Sequence, residues 1–423
     1  MFSSGEFSKW TGAEWKNSAD EFSITGVSHD TRTLDSGAVY IALRGAVHDG
    51  HDFIPAAVER GAVALVVEKE IPSAAVPQLI VPDSLTALRK LAAGVRTTWN
   101  GTVIGITGSA GKTTVKEMIA AVLSQKGRVS KTPGNWNNEI GLPLSMLAAE
   151  RDSDFFVFEL GMNHAGEIAV LASLLQPDWA VITDIGKAHI EFFDSVEAIA
   201  TEKASLLKFA KNALLDETSE WFELLKQNTA GKISMFSDEV FEFSISVPGE
   251  HMIRNARRAV ALARGLGFSA AEIQRGLDAF VPADKRWERA EISGVVFIND
   301  AYNANPLSMR AALTTFAGLP VAGKKVAVVG AMRELGAASD AEHRELGALI
   351  DSLNFDCVIT IGSAGAKIVC RSCAGLSKEA AAEMLAGILN PGDAVFFKAS
   401  RGEQLETLVE GLKEKINSTG NHE

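Results

Sequence analysis

Gly108-Ser109-Ala110-Gly111-Lys112-Thr113-Thr114 joins a glycine-bounded turn to a lysine and two hydroxyls. The backbone N–H groups of such a turn converge on an anion. A helix starting there adds its positive dipole end, and the lysine can reach a terminal phosphate. Thr113 stands where a hydroxyl binds Mg²⁺. The spacing departs from the usual Walker A pattern, which places glycine five residues before Gly111; this chain has Ile106 there, and its earlier glycine is Gly108. A plain tight turn with a solvated lysine is the alternative, and the flanking elements favour ATP.

Phosphoryl transfer also needs metal ligands and a second substrate held in line. Glu159 closes the apolar run Phe155-Phe156-Val157-Phe158 and could ligate a metal, cap a helix or face solvent. His189 follows Gly186-Lys187-Ala188 and is a second candidate, although a lone histidine is more often structural. Lys203 falls inside the apolar stripe of Val196, Ile199, Ala200, Leu206 and Leu207. A lysine there either snorkels to water or has a buried task.

The elements that must hold these residues follow from pattern. Thr102 to Thr107 reads as a strand, and Val115, Ile119 and Val122 give the next helix an apolar stripe, with Gly127 as its stop. Phe155–Phe158 and Ala180–Ile182 are continuous apolar runs, which suit strands of a parallel sheet buried on both faces. Ligands collect at the carboxyl ends of such strands, so Glu159, Thr183, Asp184 and His189 fall beside the phosphate loop. A helix from His251 to Leu266 closes this second unit, 96–284.

Residues 1–95 form a smaller α/β unit, with strands at Val39–Leu43, Val63–Val67 and Gln78–Val81, a helix from Phe53 to Arg60, and another capped by Ser84. Two polar clusters lie between its strands, Ser28-His29-Asp30-Thr31-Arg32 and His48-Asp49-Gly50-His51-Asp52. Residues 285–423 alternate four apolar runs with helices, a doubly wound unit of Rossmann-like size. Asn305-Pro306 is a helix start, and Ser339 with Glu342 reads as a capping box.

With 423 residues, 47% hydrophobic and 22% charged, the composition is that of a globular chain of two or three domains. No apolar run is long enough to span a membrane, and the N-terminus lacks a signal-peptide pattern. A net charge of −12 disfavours nucleic acid as a partner. Cys357, Cys370 and Cys373 include a C-x-x-C without further zinc ligands, so all three read as reduced thiols of a cytoplasmic protein.

The phosphate loop resembles that of the Mur ligases, the amide-forming enzymes of peptidoglycan precursor synthesis. Four further stretches are similar to the branch of that family that adds a dipeptide: Gly134 to Leu144, Glu159 to Glu167, Asn299 to Pro306, and Val329 to Gly336. They cover nearly the whole chain in the family's order.

The resemblance implies an α/β fold of three domains: a small UDP-sugar domain, a central P-loop ATPase-like domain with a parallel sheet, and a C-terminal Rossmann-like dipeptide domain. It implies that ATP, two Mg²⁺ ions, UDP-MurNAc-tripeptide and D-Ala-D-Ala meet in a monomeric enzyme that works through an acyl phosphate. It assigns Gly108, Ser109, Ala110, Gly111, Lys112, Thr113 and Thr114 to the ATP phosphates, and Thr113, Glu159 and His189 to metal. Lys203 matches a lysine that members carbamylate with CO₂. Asn255 falls where members contact adenine, and Arg286 and Asp300 where the third domain reaches the phosphates and ribose. Ser28, Asp30, Arg32, Gly50 and His51 match motifs lining the UDP-sugar site. The chain departs from the family at Ala331, usually Asp, and Ala399, usually Gly. A related ligase with another amine acceptor, a nucleotide-driven switch and a silent relative are the competing readings.

Overall fold

Parallel strand pairing dominates the computed structural model, which describes every residue except 19, 238–240, 363–367, 369, 371–372 and 421–423, with the side chains of 373–374 and 417–420 also outside the description. Near the N-terminus β1 (Phe2–Ser3) pairs antiparallel with β3 (Ser23–Ile24). Beside them β2 (Trp15–Lys16), β4 (Val27–Ser28), β5 (Val39–Ile41), β6 (Ala64–Val67) and β7 (Gln78–Ile80) form a sheet of order β2-β7-β6-β5-β4. The helix after β7 runs Ser84–Arg96, and its N-cap is Asp83 rather than Ser84, because the Asp83 carboxylate accepts the Thr86 N–H at 2.6 Å.

The central sheet contains β8 (Thr102–Thr107), β9 (Val129–Lys131), β10 (Phe155–Glu159), β11 (Trp179–Ile182), β12 (Asn212–Asp216) and β13 (Lys232–Phe236). Its order is β13-β12-β11-β8-β10-β9, every pair parallel. The chain leaves β8 toward β9 and later crosses to β11 on its other side, so the carboxyl end of β8 is the switch point where a crevice opens. Val103, Ile104 and Ile106 of β8 are fully buried, as a strand covered on both faces requires. The helix Lys112–Leu123 packs against helices Glu250–Gly265 and Ala270–Asp278, and a Cβ on Gly276 would lie 2.4 Å from the Val122 Cα.

The third sheet has order β14-β15-β19-β16-β17-β18, from β14 (Glu288–Ile292), β15 (Val295–Asn299), β16 (Lys325–Val329), β17 (Cys357–Ile361), β18 (Cys373–Leu376) and β19 (Ala394–Lys398). Only β14 is antiparallel to its neighbour. Asn305 caps helix Pro306–Gly318 as its sequence indicates. The Ser339–Glu342 capping box does not form: Ser339 is already helical, and Glu342 pairs instead with Lys187 of the central sheet's side. A cation offered by another part of the chain outcompetes a local backbone N–H. The reduced-thiol reading also fails for Cys370, which is disulfide-bonded, whereas Cys357 is free. Cysteine counts and spacing alone do not reveal the oxidation state of a thiol; the Cys373 side chain lies outside the described residues. No helix among the described residues is long and apolar enough to cross a membrane.

Candidate active site

The phosphate loop is shaped by close approaches. A Cβ on Gly108 would sit 1.8 Å from the Thr183 hydroxyl, so only glycine fits there. Gly111, at φ +86°, turns the chain into the helix beside Asn255, whose amide oxygen would be 2.7 Å from a Cβ. The Asp184 carbonyl accepts the Ser109 and Ala110 N–H groups at 2.7 and 3.3 Å. Lys112 Nζ donates to the Gly108 carbonyl at 2.8 Å and so curls over the loop. Burial pushes the Lys112 ammonium below its usual range; Glu159 opposes this and Arg286 adds to it.

Glu159, at the carboxyl end of β10, is buried and held from three sides. Thr113 Oγ1 donates to its Oε2 and Asn137 Nδ2 to its Oε1, both at 2.8 Å, and its own N–H donates to Thr132 Oγ1 at 2.9 Å. A hydroxyl beside a carboxylate is the hard-oxygen donor set that suits Mg²⁺, which takes one or two protein oxygens and completes its shell with water and substrate phosphates. Among the described residues no group of three or more His, Cys, Asp or Glu gathers as a preformed metal cluster. His189 lines the same cavity, but its Nδ1 lies 2.6 Å from Glu334 Oε2, which holds the Glu334 carboxyl below its usual range.

Lys203 does not snorkel. It is 1% exposed, and its pKa is driven well below the usual lysine range by burial first, then by Lys112, with Glu202 opposing. Glu202 does not bond it; its carboxylate accepts the Gly166 and Ile168 N–H groups at 2.8 Å and caps the helix Glu167–Leu175.

A cavity of ≈ 430 Å³ joins this apparatus to the third sheet. Residues 108–114 from Ser109 onward, Glu159, His189, Asn255, Arg286 and Asp300 all line it. Arg286 stacks 4.0 Å over the Tyr302 ring, Asp300 takes Lys398 Nζ on Oδ2 at 2.6 Å, and Asn305 Nδ2 reaches the Ser109 carbonyl at 3.1 Å.

Ser28, Asp30, Arg32, Gly50 and His51 do not border that cavity. Asp30 and Arg32 form a bidentate pair that lowers the Asp30 carboxyl to about 2. His51 has both ring nitrogens engaged, Nδ1 with Asp49 at 2.6 Å and Nε2 with the Glu68 N–H at 3.1 Å, and a Cβ on Gly50 would collide with the Leu43 backbone. Sequence reasoning missed Lys116, Thr132 and Lys398 as parts of the site. Asn137 and Glu334 lie inside the family-like stretches without a task there, and Asn305 with only that of a helix cap. Ala399 meets Gly330 closely, since a Cβ there would sit 2.7 Å from the Ala399 methyl.

Three family models match the chain: the Mur ligase family catalytic domain over 23–96, the Mur ligase middle domain over 106–234, and the Mur ligase glutamate ligase domain over 285–401. The UDP-N-acetylmuramoyl-tripeptide–D-alanyl-D-alanine ligase of Bacillus subtilis is 36% identical, covering 92% of this chain and 93% of its own. Its Escherichia coli counterpart is 33% identical over 93% and 95%. Among solved structures, MurF from Acinetobacter baumannii superposes with a TM-score of 0.88 at 30% identity, covering 97% of this chain and 98% of that one. MurF from Thermotoga maritima in complex with ADP gives 0.83 at 29%, over 93% and 98%. Loop, carboxylate, sheet order and whole-length likeness agree, and the chain belongs to the Mur ligase family.

Proposed function

We propose that this enzyme joins D-alanyl-D-alanine to UDP-N-acetylmuramoyl-tripeptide at the expense of ATP, in peptidoglycan precursor synthesis. The observation that carries the reading is the single cavity in which the phosphate loop, Glu159 and the Arg286–Asp300–Asn305 wall face one another. Whole-length likeness to ligases of that name supports the choice of substrates.

A terminal carboxylate of the tripeptide attacks the γ-phosphorus of ATP, and ADP leaves. The dipeptide amine then adds to the acyl phosphate, loses a proton, and phosphate departs from the tetrahedral intermediate. Lys112 and the loop N–H groups of residues 111–114 face the growing negative charge, and Arg286 approaches from the other wall. Thr113 and Glu159 would hold Mg²⁺, with His189 at the second of two ions once released from Glu334; the metal supplies positive charge to the phosphate oxygens. Asn255 would contact adenine, and Asp300 the ribose. Burial against two walls keeps water from the acyl phosphate.

Lys203 would react with CO₂: its neutral amine forms an N–C bond and releases one proton, leaving a carbamate whose negative charge suits a site crowded with cations. Residues 1–95, including Ser28, Asp30, Arg32, Gly50 and His51, would bind the UDP-sugar, 96–284 ATP, and 285–423 the dipeptide. The enzyme would act as a cytoplasmic monomer, serving cell-wall growth and with it cell shape and division.

The test is ADP release from UDP-MurNAc-tripeptide with and without D-Ala-D-Ala. Turnover that requires both is expected. Robust turnover with a single free amino acid and none with the dipeptide would move the chain to a sister ligase, and steady hydrolysis without any amine would make it a switch.

A further inference from the structure

We infer that Lys116 is a positioning residue of this site: it ties the segment 132–137 to the phosphate-loop helix and thereby aims the Glu159 carboxylate. This rests on the ligase reading above. Lys116 lies one turn beyond Lys112, yet it is 1% exposed. Its Nζ donates to the Thr132 carbonyl at 2.9 Å and the Gly134 carbonyl at 3.3 Å, and lies 3.1 Å from the Glu117 carboxylate. Glu117 also holds Lys131, the last residue of β9.

The strapped segment is the one that touches Glu159. Thr132 gives its carbonyl to Lys116 and its hydroxyl to the Glu159 N–H. Three residues past Gly134, Asn137 donates to Glu159 Oε1, and its carbonyl accepts the Gly161 N–H at 2.8 Å. A Cβ on Gly161 would meet the Asn137 amide at 2.7 Å, so this approach is close on both sides. Segment 132–137 forms neither helix nor strand; its main chain is held at Thr132, whose N–H donates to the Val157 carbonyl at 3.1 Å, and at Trp136, whose carbonyl accepts Ser145 Oγ at 3.0 Å. Between those two anchors the buried ammonium adds a constraint of its own on the Thr132 and Gly134 carbonyls. A surface lysine could not, because water would compete for both carbonyls. Lys116 touches no reacting atom; it acts through Thr132 and Asn137 on a group that would carry Mg²⁺.

Lys116→Met keeps an unbranched side chain out to the ε position and removes the charge and donors. ADP affinity is measured by calorimetry in EDTA and again in Mg²⁺, alongside the Mg²⁺ dependence of ADP release. The expected result is unchanged affinity in EDTA, with affinity in Mg²⁺ weakened about tenfold or more, the range for residues that orient a metal ligand. The Lys116→Met/Asn137→Ala double variant should be no worse than the poorer single variant, since both break one linkage. Equal weakening in EDTA and Mg²⁺, no weakening in either, or strictly additive losses would each overturn the inference. Where Lys116→Met does not fold, Lys116→Gln, which loses the charge but keeps an amide donor group, takes its place under the same criteria. Wild-type enzyme that releases no ADP with both substrates refutes the ligase reading, while the calorimetry still decides the role of Lys116.

Discussion

Asn305 Nδ2 donates to the Ser109 carbonyl at 3.1 Å while Asn305 Oδ1 accepts the Ser308 N–H at 2.9 Å. One amide therefore starts the helix Pro306–Gly318 and also joins the third sheet's side of the cavity to the phosphate loop.

Those two tasks separate by substitution. Asp caps helices as well as Asn does, but it has no amide donor and places a carboxylate against a carbonyl. Asn305→Asp should keep the thermal midpoint within a few degrees and lower kcat. Asn305→Ala should lose about 1 kcal/mol of stability as well. Paired denaturation and ADP-release measurements check both; equal activity in Asn305→Asp and wild type would dissociate the contact from catalysis.

Lys112 is the loop's only side-chain cation and is aimed across it. Lys112→Ala should fold normally and lose about 10²–10³ in kcat, the usual loss when one charge-stabilising donor is removed. Near-normal amide formation by a folded variant would show that the loop is not the ATP site.

Lys203 gives a pH signature. Its folded pKa lies below the unfolded one, so between the two the unfolded chain binds more protons and stability rises with pH. In CO₂-free buffer the wild type should gain stability from pH 7 to pH 10 relative to Lys203→Met, with the variant the more stable at pH 7. Denaturant midpoints at the two pH values read this directly. With ¹³CO₂, wild type should show a carbamate ¹³C signal that the variant lacks.

Gly94 sets helix propensity against packing. Ala inside a helix is worth about 1 kcal/mol over Gly. A Cβ here, however, would lie 2.2 Å from the Trp10 ring in the buried contact between helices Ser4–Thr11 and Ser84–Arg96. Overpacking costs about 1–3 kcal/mol, so Gly94→Ala should destabilise on balance, which a lowered urea midpoint would register.

The long apolar runs announced their strands because both faces are covered. The run ending at Phe158 extends one residue to Glu159, so the site carboxylate is itself the last residue of β10. β9, β12 and β13 were harder to read: β9 and β13 sit at the sheet's edges, where half-exposed residues such as Ser130 and Ile233 blur the pattern. Local signals decided Asn305 correctly, since cap and first turn lie side by side. They misled at Ser339, where Lys187, 155 residues from Glu342, claims the carboxylate. Lys116 was invisible for the same kind of reason. Nothing in the helix it belongs to marks it as buried; the covering segment comes from beyond β9. The His189–Glu334 contact likewise depends on how separate sheets meet.

The hold that Asp184 exerts on the loop is a main-chain one: its carbonyl takes the Ser109 and Ala110 amides, while its carboxylate faces Arg258 at 2.7 Å and Arg254 at 3.4 Å. The curve of the loop is therefore insulated from mutational drift at position 184, because every amino acid brings the same carbonyl. Substitution there changes the electrostatic partner of the helix Glu250–Gly265 and the stretch of cavity wall that Asp184 lines. A designer can retune the field around that helix at this position without removing the carbonyl that curves the phosphate loop.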